Sequence, residues 1–87
     1  MSGADESLLK FPTDLAVKVI GRNDLQFRDA VIGVVESVYG KAYSLAEQQS
    51  KQASYLSLTV TVRAESRAQA DALYQALVAN ELVLMAF

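Results

Sequence analysis

The stretch YLSLTVTVRAES, residues 55–66, alternates Leu56, Leu58, Val60 and Val62 with Tyr55, Ser57, Thr59, Thr61 and Arg63. A two-residue period of this kind predicts a strand over 55–64 with one face buried and the other more polar. Ser66 with Gln69 three positions later forms a capping box, which opens a helix directly behind the strand. Ala70, Leu73, Tyr74, Leu77 and Val78 then fall on one helical face, with Arg67, Asp71 and Gln75 towards water and Asn80 as the C-cap. Leu82 to Phe87 reads as a last strand, apolar on both faces.

Upstream, FPTDLAVKVIGRNDLQF (11–27) holds a second copy of the same grammar. Pro12 favours an extended Phe11 before it. Leu15, Val17 and Val19 alternate with Ala16, Lys18 and Ile20, and Gly21 is expected to end that strand. Asn23 with Gln26 suggests a capped helix start, and Asp24 suits the positive end of the helix dipole. Phe27, Ala30, Val31, Val34, Val35 and Val38 give a broad apolar face over a helix at roughly 24–39, which Gly40 stops. Valines and Gly33 are poor helix formers, so tertiary packing has to hold this helix. Ala42 to Glu47 is a weaker strand, and Glu47 to Ser54 is a polar hairpin loop.

The order is strand, helix, strand, strand, helix, strand. It predicts an α+β chain with the ferredoxin-like βαββαβ plait: a four-stranded antiparallel sheet with two helices on one face. Residues 1–10 are read as a flexible polar N-terminal segment and 11–87 as one domain.

Composition narrows the chemistry. The chain has 87 residues, 52% of them hydrophobic, with no Cys and no His. Thiol chemistry, Cys/His zinc sites and an imidazole base are therefore excluded, and no cofactor or metal is expected. The opening residues lack the pattern of a secretory signal, and LVLMAF is too short to span a membrane. A soluble, cytoplasmic protein without a membrane role is the expectation. The net charge is -2 and the basic residues are dispersed, so nucleic-acid binding is not expected.

The blocks FPTDLAVKVIGR (11–22), YLSLTVTVRAES (55–66), QADALYQAL (69–77) and ELVLMAF (81–87) together resemble the small bacterial YbeD family, over most of 11–87. The resemblance implies a ferredoxin-like fold similar to ACT regulatory domains and brings no catalytic activity with it. Family members are often encoded near lipoate-attachment genes, which implies a link to lipoate metabolism. The chain departs from the family pattern at Ala53-Ser54-Tyr55, where a Gly often stands two places before the Tyr. It departs again at Tyr39-Gly40, where His-Pro is common.

Two surfaces are candidate sites. The first is the turn Gly21, Arg22, Asn23 and Asp24, at a helix N-terminus where free amides and a guanidinium suit a small anionic ligand. ACT-type domains place ligands near this turn, although their Pro-Gly is missing here. The bland reading is a capped helix start with a solvated arginine, and the sequence leaves both open. The second is the helix-free sheet face, with Ala16, Lys18, Ile20, Thr59, Thr61, Leu82, Leu84 and Ala86, whose mixed polarity suits a protein partner or self-association. Leu25, Ile32 and Tyr39 recur every seven residues, as the flank of the buried face or as a docking stripe.

The enzyme alternative is an acylphosphatase-like hydrolase using Arg28. VIGRNDLQFR lacks the glycine cradle for phosphate, and no Asn ends the third strand to position a water. An RNA-binding reading finds one aromatic, Tyr55, on the open face, without the RNP pattern and with an acidic balance, which is too little for stacking bases. Metal ligands and catalytic carboxylate pairs are not evident. The sequence therefore points to a non-enzymatic binding or regulatory module.

Overall fold

The computed structural model describes residues 10–50 and 52–87. The expectation for the first nine residues, and the part of the hairpin loop at Lys51, lie outside the described residues. The elements are β1 (Thr13–Arg22), α1 (Leu25–Tyr39), β2 (Tyr43–Gln49), β3 (Tyr55–Ala64), α2 (Arg67–Ala79) and β4 (Val83–Ala86). The strands form one antiparallel sheet in the order β2-β3-β1-β4. This is the expected βαββαβ plait.

The sheet register explains the core. Leu15, Val17 and Val19 on β1 stand opposite Val62, Val60 and Leu58 on β3, and Leu45 on β2 stands opposite Val60. These residues face the helices. Phe27, Val31 and Val35 from α1 and Leu73 and Leu77 from α2 complete one buried cluster with them. Burying each such side chain contributes about 1.5–3 kcal/mol, which is how a valine-rich α1 stays helical against its weak propensity. Because both helices use that side, the alternate residues of β1 and β3 are left on a sheet face with no helix over it.

Several boundaries differ from the sequence expectation. Gly21 does not end β1: it pairs with Leu56 on one side and Val83 on the other, and the strand continues to Arg22. The α1 N-cap is Asp24 rather than Asn23, with its carboxylate accepting from the Phe27 amide at 2.9 Å. Asn23 turns its side chain away and donates from Nδ2 to the Ala53 carbonyl at 2.9 Å. On α2, Ser66 caps as expected, but Gln69 reaches one residue further back to accept from the Glu65 amide. Val78 is exposed rather than buried, whereas Ala70, Leu73 and Leu77 of α2 are buried and Tyr74 packs beside them. The second strand runs to Gln49, two residues beyond the expected end, since Gln48 and Gln49 still find partners on β3. Gly40, with φ 67, ends α1 in a conformation that favours glycine.

Candidate functional site

Two places need testing against geometry: the turn between β1 and α1, and the helix-free face of the sheet.

In the turn, the backbone amides are largely committed within the chain. The Asn23 amide donates to the Ser54 carbonyl at 3.1 Å and the Asp24 amide to the Arg22 carbonyl at 2.8 Å. The Asp24 carboxylate takes the Phe27 amide, so the helix N-terminus already carries an anion supplied by its own chain. Gly21 is buried, and a Cβ placed there would lie 2.4 Å from the Phe27 ring. That glycine, on β1, makes room for a core aromatic of the following helix, α1. Gly21, Asn23 and Asp24 thus hold the turn to the β2–β3 hairpin and to α1, while Arg22 stays exposed. The hairpin they grip contains Ala53 at φ 57, a left-handed position that favours glycine.

Arg28, the arginine of the hydrolase alternative, pairs through Nε with the Glu47 carboxylate on β2. That hydrogen bond, with the charge beside it, holds the guanidinium pKa above its usual value. Nearby, the Tyr43 hydroxyl donates to Glu36 at 2.8 Å, which raises the phenol pKa, with desolvation adding to it. Both interactions tie α1 to the outer strand β2. Of the heptad-spaced trio, Leu25 is exposed, Ile32 is half-buried, and Tyr39 is half-buried against the core. The Tyr39 hydroxyl is buried without a hydrogen-bond partner among the described residues, and burial raises its pKa. Among the described residues, no group of three or more Asp or Glu side chains is placed to hold a metal ion. None of the described helices is long and apolar enough to cross a membrane.

The open face is fixed by register. Ala16, Lys18 and Ile20 on β1 stand opposite Thr61, Thr59 and Ser57 on β3, and Ser44, Ala46 and Gln48 continue the rows onto β2. Lys18, Ile20, Thr59 and Thr61 are therefore together, as the alternation implied. The β4 side differs. A bulge lies between the pairs Ile20–Met85 and Gly21–Val83, so Leu84 is an extra residue without a partner on β1. An extra residue reverses the parity of everything after it. Ala86 consequently stands opposite Val19 on the helix side, not on the open face. Met85 stands beside Ile20 on the open face instead. Phe87 exchanges both backbone hydrogen bonds with Lys18, at 2.7 and 2.9 Å, which puts it on the open face as well. The Lys18 ammonium sits 6.0 Å from the Phe87 ring centre, within reach of a cation–π attraction. Leu82 lies in the turn before β4, where its amide is held by the Asn80 side chain. Leu84 is 54% exposed, and Met85 and Phe87 are each 56% exposed.

The open face thus has a polar half, carpeted by Ser and Thr of β3 and β2, and an apolar border made by Ile20, Met85 and Phe87, with exposed Leu84 at the bulge. The border coincides with an outer strand, and Val83 to Phe87 contain no charged residue. Met85 and Phe87 escaped the sequence reading because a strand apolar on both faces carries no parity signal. The bulge that sets their direction has no local marker.

Taken together, the fold and surface define a small α/β plait with helices on one side and a partly apolar sheet face on the other that no element among the described residues covers. The chain belongs to the DUF493 family, whose model, described as a protein of unknown function, matches residues 6–87. This agrees with the YbeD-type resemblance. A UPF0250 protein of Nitrosomonas europaea is 37% identical over 84 residues, covering 93% of this chain and 95% of that protein. A UPF0250 protein of a Janthinobacterium species is 42% identical over 81 residues, covering 90% of this chain and 88% of that protein. The solution structure of protein HP0495 from H. pylori superimposes with a TM-score of 0.80, covering 100% of this chain and 93% of that one. At 16% identity that likeness concerns the fold alone.

Proposed function

We propose that the chain is a non-enzymatic binding module that acts by protein association through the helix-free face of its sheet and the β4 border. The observation that carries this reading is the grouping of half-buried Ile20 with exposed Met85 and Phe87 on one rim of the open face, at a bulged edge strand without charge. Outer strands that remain uncovered in water are usually blunted by charged residues, because their free amides and carbonyls recruit other chains. The opposite outer strand, β2, has polar Ser44 and Gln48 on the open face. The β4 edge is short and bulged, which limits pairing through its backbone, while the side chains of Leu84, Met85 and Phe87 there are apolar and exposed, as expected of a surface that is covered in use.

Affinity purification from the native cell tests this reading when three tagged forms are compared. The wild type and an Asp71→Lys variant on α2 are expected to recover the same partner in equal yield. Met85→Glu, folded by circular dichroism, is expected to lose it. Equal recovery by Met85→Glu would remove the sheet face from the account.

A further inference from the structure

Charge is sorted across the sheet. The open face carries Lys18 and Arg22 on β1 and Arg63 on β3, against Asp14 as its acidic residue among the described ones. Asp14 and Arg63 stand opposite each other and pair at 3.3 Å. Lys18 and Arg22 make no ion pair among the described residues. The other acidic side chains among the described residues sit elsewhere: Asp24, Asp29, Glu36 and Asp71 on or capping the helices, Glu47 on the helix side of β2, and Glu65 and Glu81 in the connections after β3 and before β4, with Glu47 and Asp71 paired to Arg28 and Arg67 of the helices.

From this sorting, and resting on the association reading above, we infer that the partner presents an acidic segment with an apolar anchor between two carboxylates. Lys18, Ile20 and Arg22 are consecutive residues of one row on the open face. At about 3.3 Å per strand residue the two cations stand roughly 13 Å apart. Ile20 lies midway between them with Met85 beside it. An extended segment of the pattern acidic–x–apolar–x–acidic has the same spacing, so its carboxylates meet Lys18 and Arg22 as its apolar side chain meets Ile20 and Met85. The spacing exceeds the Debye length of about 8 Å at physiological salt, so each cation acts almost independently. A second copy of this chain is a poor occupant of the same face. Stacked face to face, it would set Lys18 and Arg22 of one copy near the same cations of the other. A nucleic acid is also disfavoured, since two unpaired cations neutralise few phosphates.

The test is a nuclear magnetic resonance titration of the full chain at physiological salt with defined probes. One peptide has the core Glu-Thr-Leu-Thr-Glu, a second replaces both Glu by Lys, a third replaces Leu by Ser, and an oligothymidylate supplies phosphates. The Glu-Leu peptide is expected to shift the amides of Lys18 to Arg22, Met85 and Phe87. Its affinity should fall about threefold in Lys18→Glu or Arg22→Glu and about tenfold in the double variant. The serine peptide is expected to bind several-fold more weakly. Absence of saturable shifts, shifts confined to α1 and α2, or tighter binding of the oligothymidylate would overturn the inference. Binding of the Lys peptide to this same face would overturn the acidic class while leaving the association surface in place.

Discussion

Replacing Gly21 by alanine tests whether the β1–α1 turn is built around a core side chain or around a ligand. The added methyl would lie 2.4 Å from Cδ1 and Cε1 of Phe27 and 2.7 Å from Cγ. With Cγ as well as the ring edge in conflict, relief requires a change of χ1 or a movement of the start of α1. Phe27 is also 1% exposed, so no space lies behind it. Forcing one methyl into such a site costs about 1–3 kcal/mol. In a domain of this size about 2 kcal/mol lowers Tm by roughly 8–16 °C. Urea unfolding should show the loss with an unchanged m-value. Phe27→Leu, whose smaller side chain can turn aside, should relieve the clash. The double variant is expected to be more stable than the summed single effects imply, by about 1 kcal/mol or more. A neutral Gly21→Ala, or strictly additive costs, would refute this packing role and return the glycine to the ligand reading.

Other expectations follow from the same coordinates. Ala53→Gly should raise stability by about 0.5–1 kcal/mol, seen as a Tm increase of roughly 2–8 °C, because the left-handed φ of 57 penalises alanine. Asp24→Ala should cost about 0.5–2 kcal/mol and speed hydrogen exchange at the Phe27 amide, whereas Asn23→Ala should loosen the hairpin at Ala53 and leave that amide protected. Glu36→Ala should lower the Tyr43 pKa towards the ordinary phenol value, as followed by the Tyr43 ring resonances. Since the folded state holds the Tyr43 proton more tightly, this contribution is complete below the unfolded phenol pKa. It is lost as pH rises through the folded one, so the variant should show a shallower alkaline decline in stability.

The sequence carried the architecture because burial on one side writes itself into alternation. Leu56, Leu58, Val60 and Val62 gave β3 to the residue, and Ser66 gave the start of α2. Asn23 misled because Asn and Asp are both good caps. Only the hairpin carbonyl at Ala53, thirty residues away, decides between them. Gly21 misled in the same way, since a glycine that ends a strand and one that admits an aromatic ring look alike in one dimension. On the candidate surface, Lys18, Ile20, Thr59 and Thr61 were legible from β1 and β3. Met85 and Phe87 were not, because their direction depends on a bulge opposite Ile20 and Gly21. Charge sorting was likewise invisible, since dispersal along the chain says nothing about which side of a sheet each charge occupies.

The association account is tested most directly by placing a photoreactive benzoylphenylalanine at position 85 and, separately, at position 29 on α1, and irradiating living cells of the source organism. The account predicts a discrete crosslinked species from position 85 that vanishes when Ile20 is also changed to Glu, and none from position 29. Crosslinking from the helix position alone, or a product at position 85 indifferent to Ile20→Glu, would contradict it.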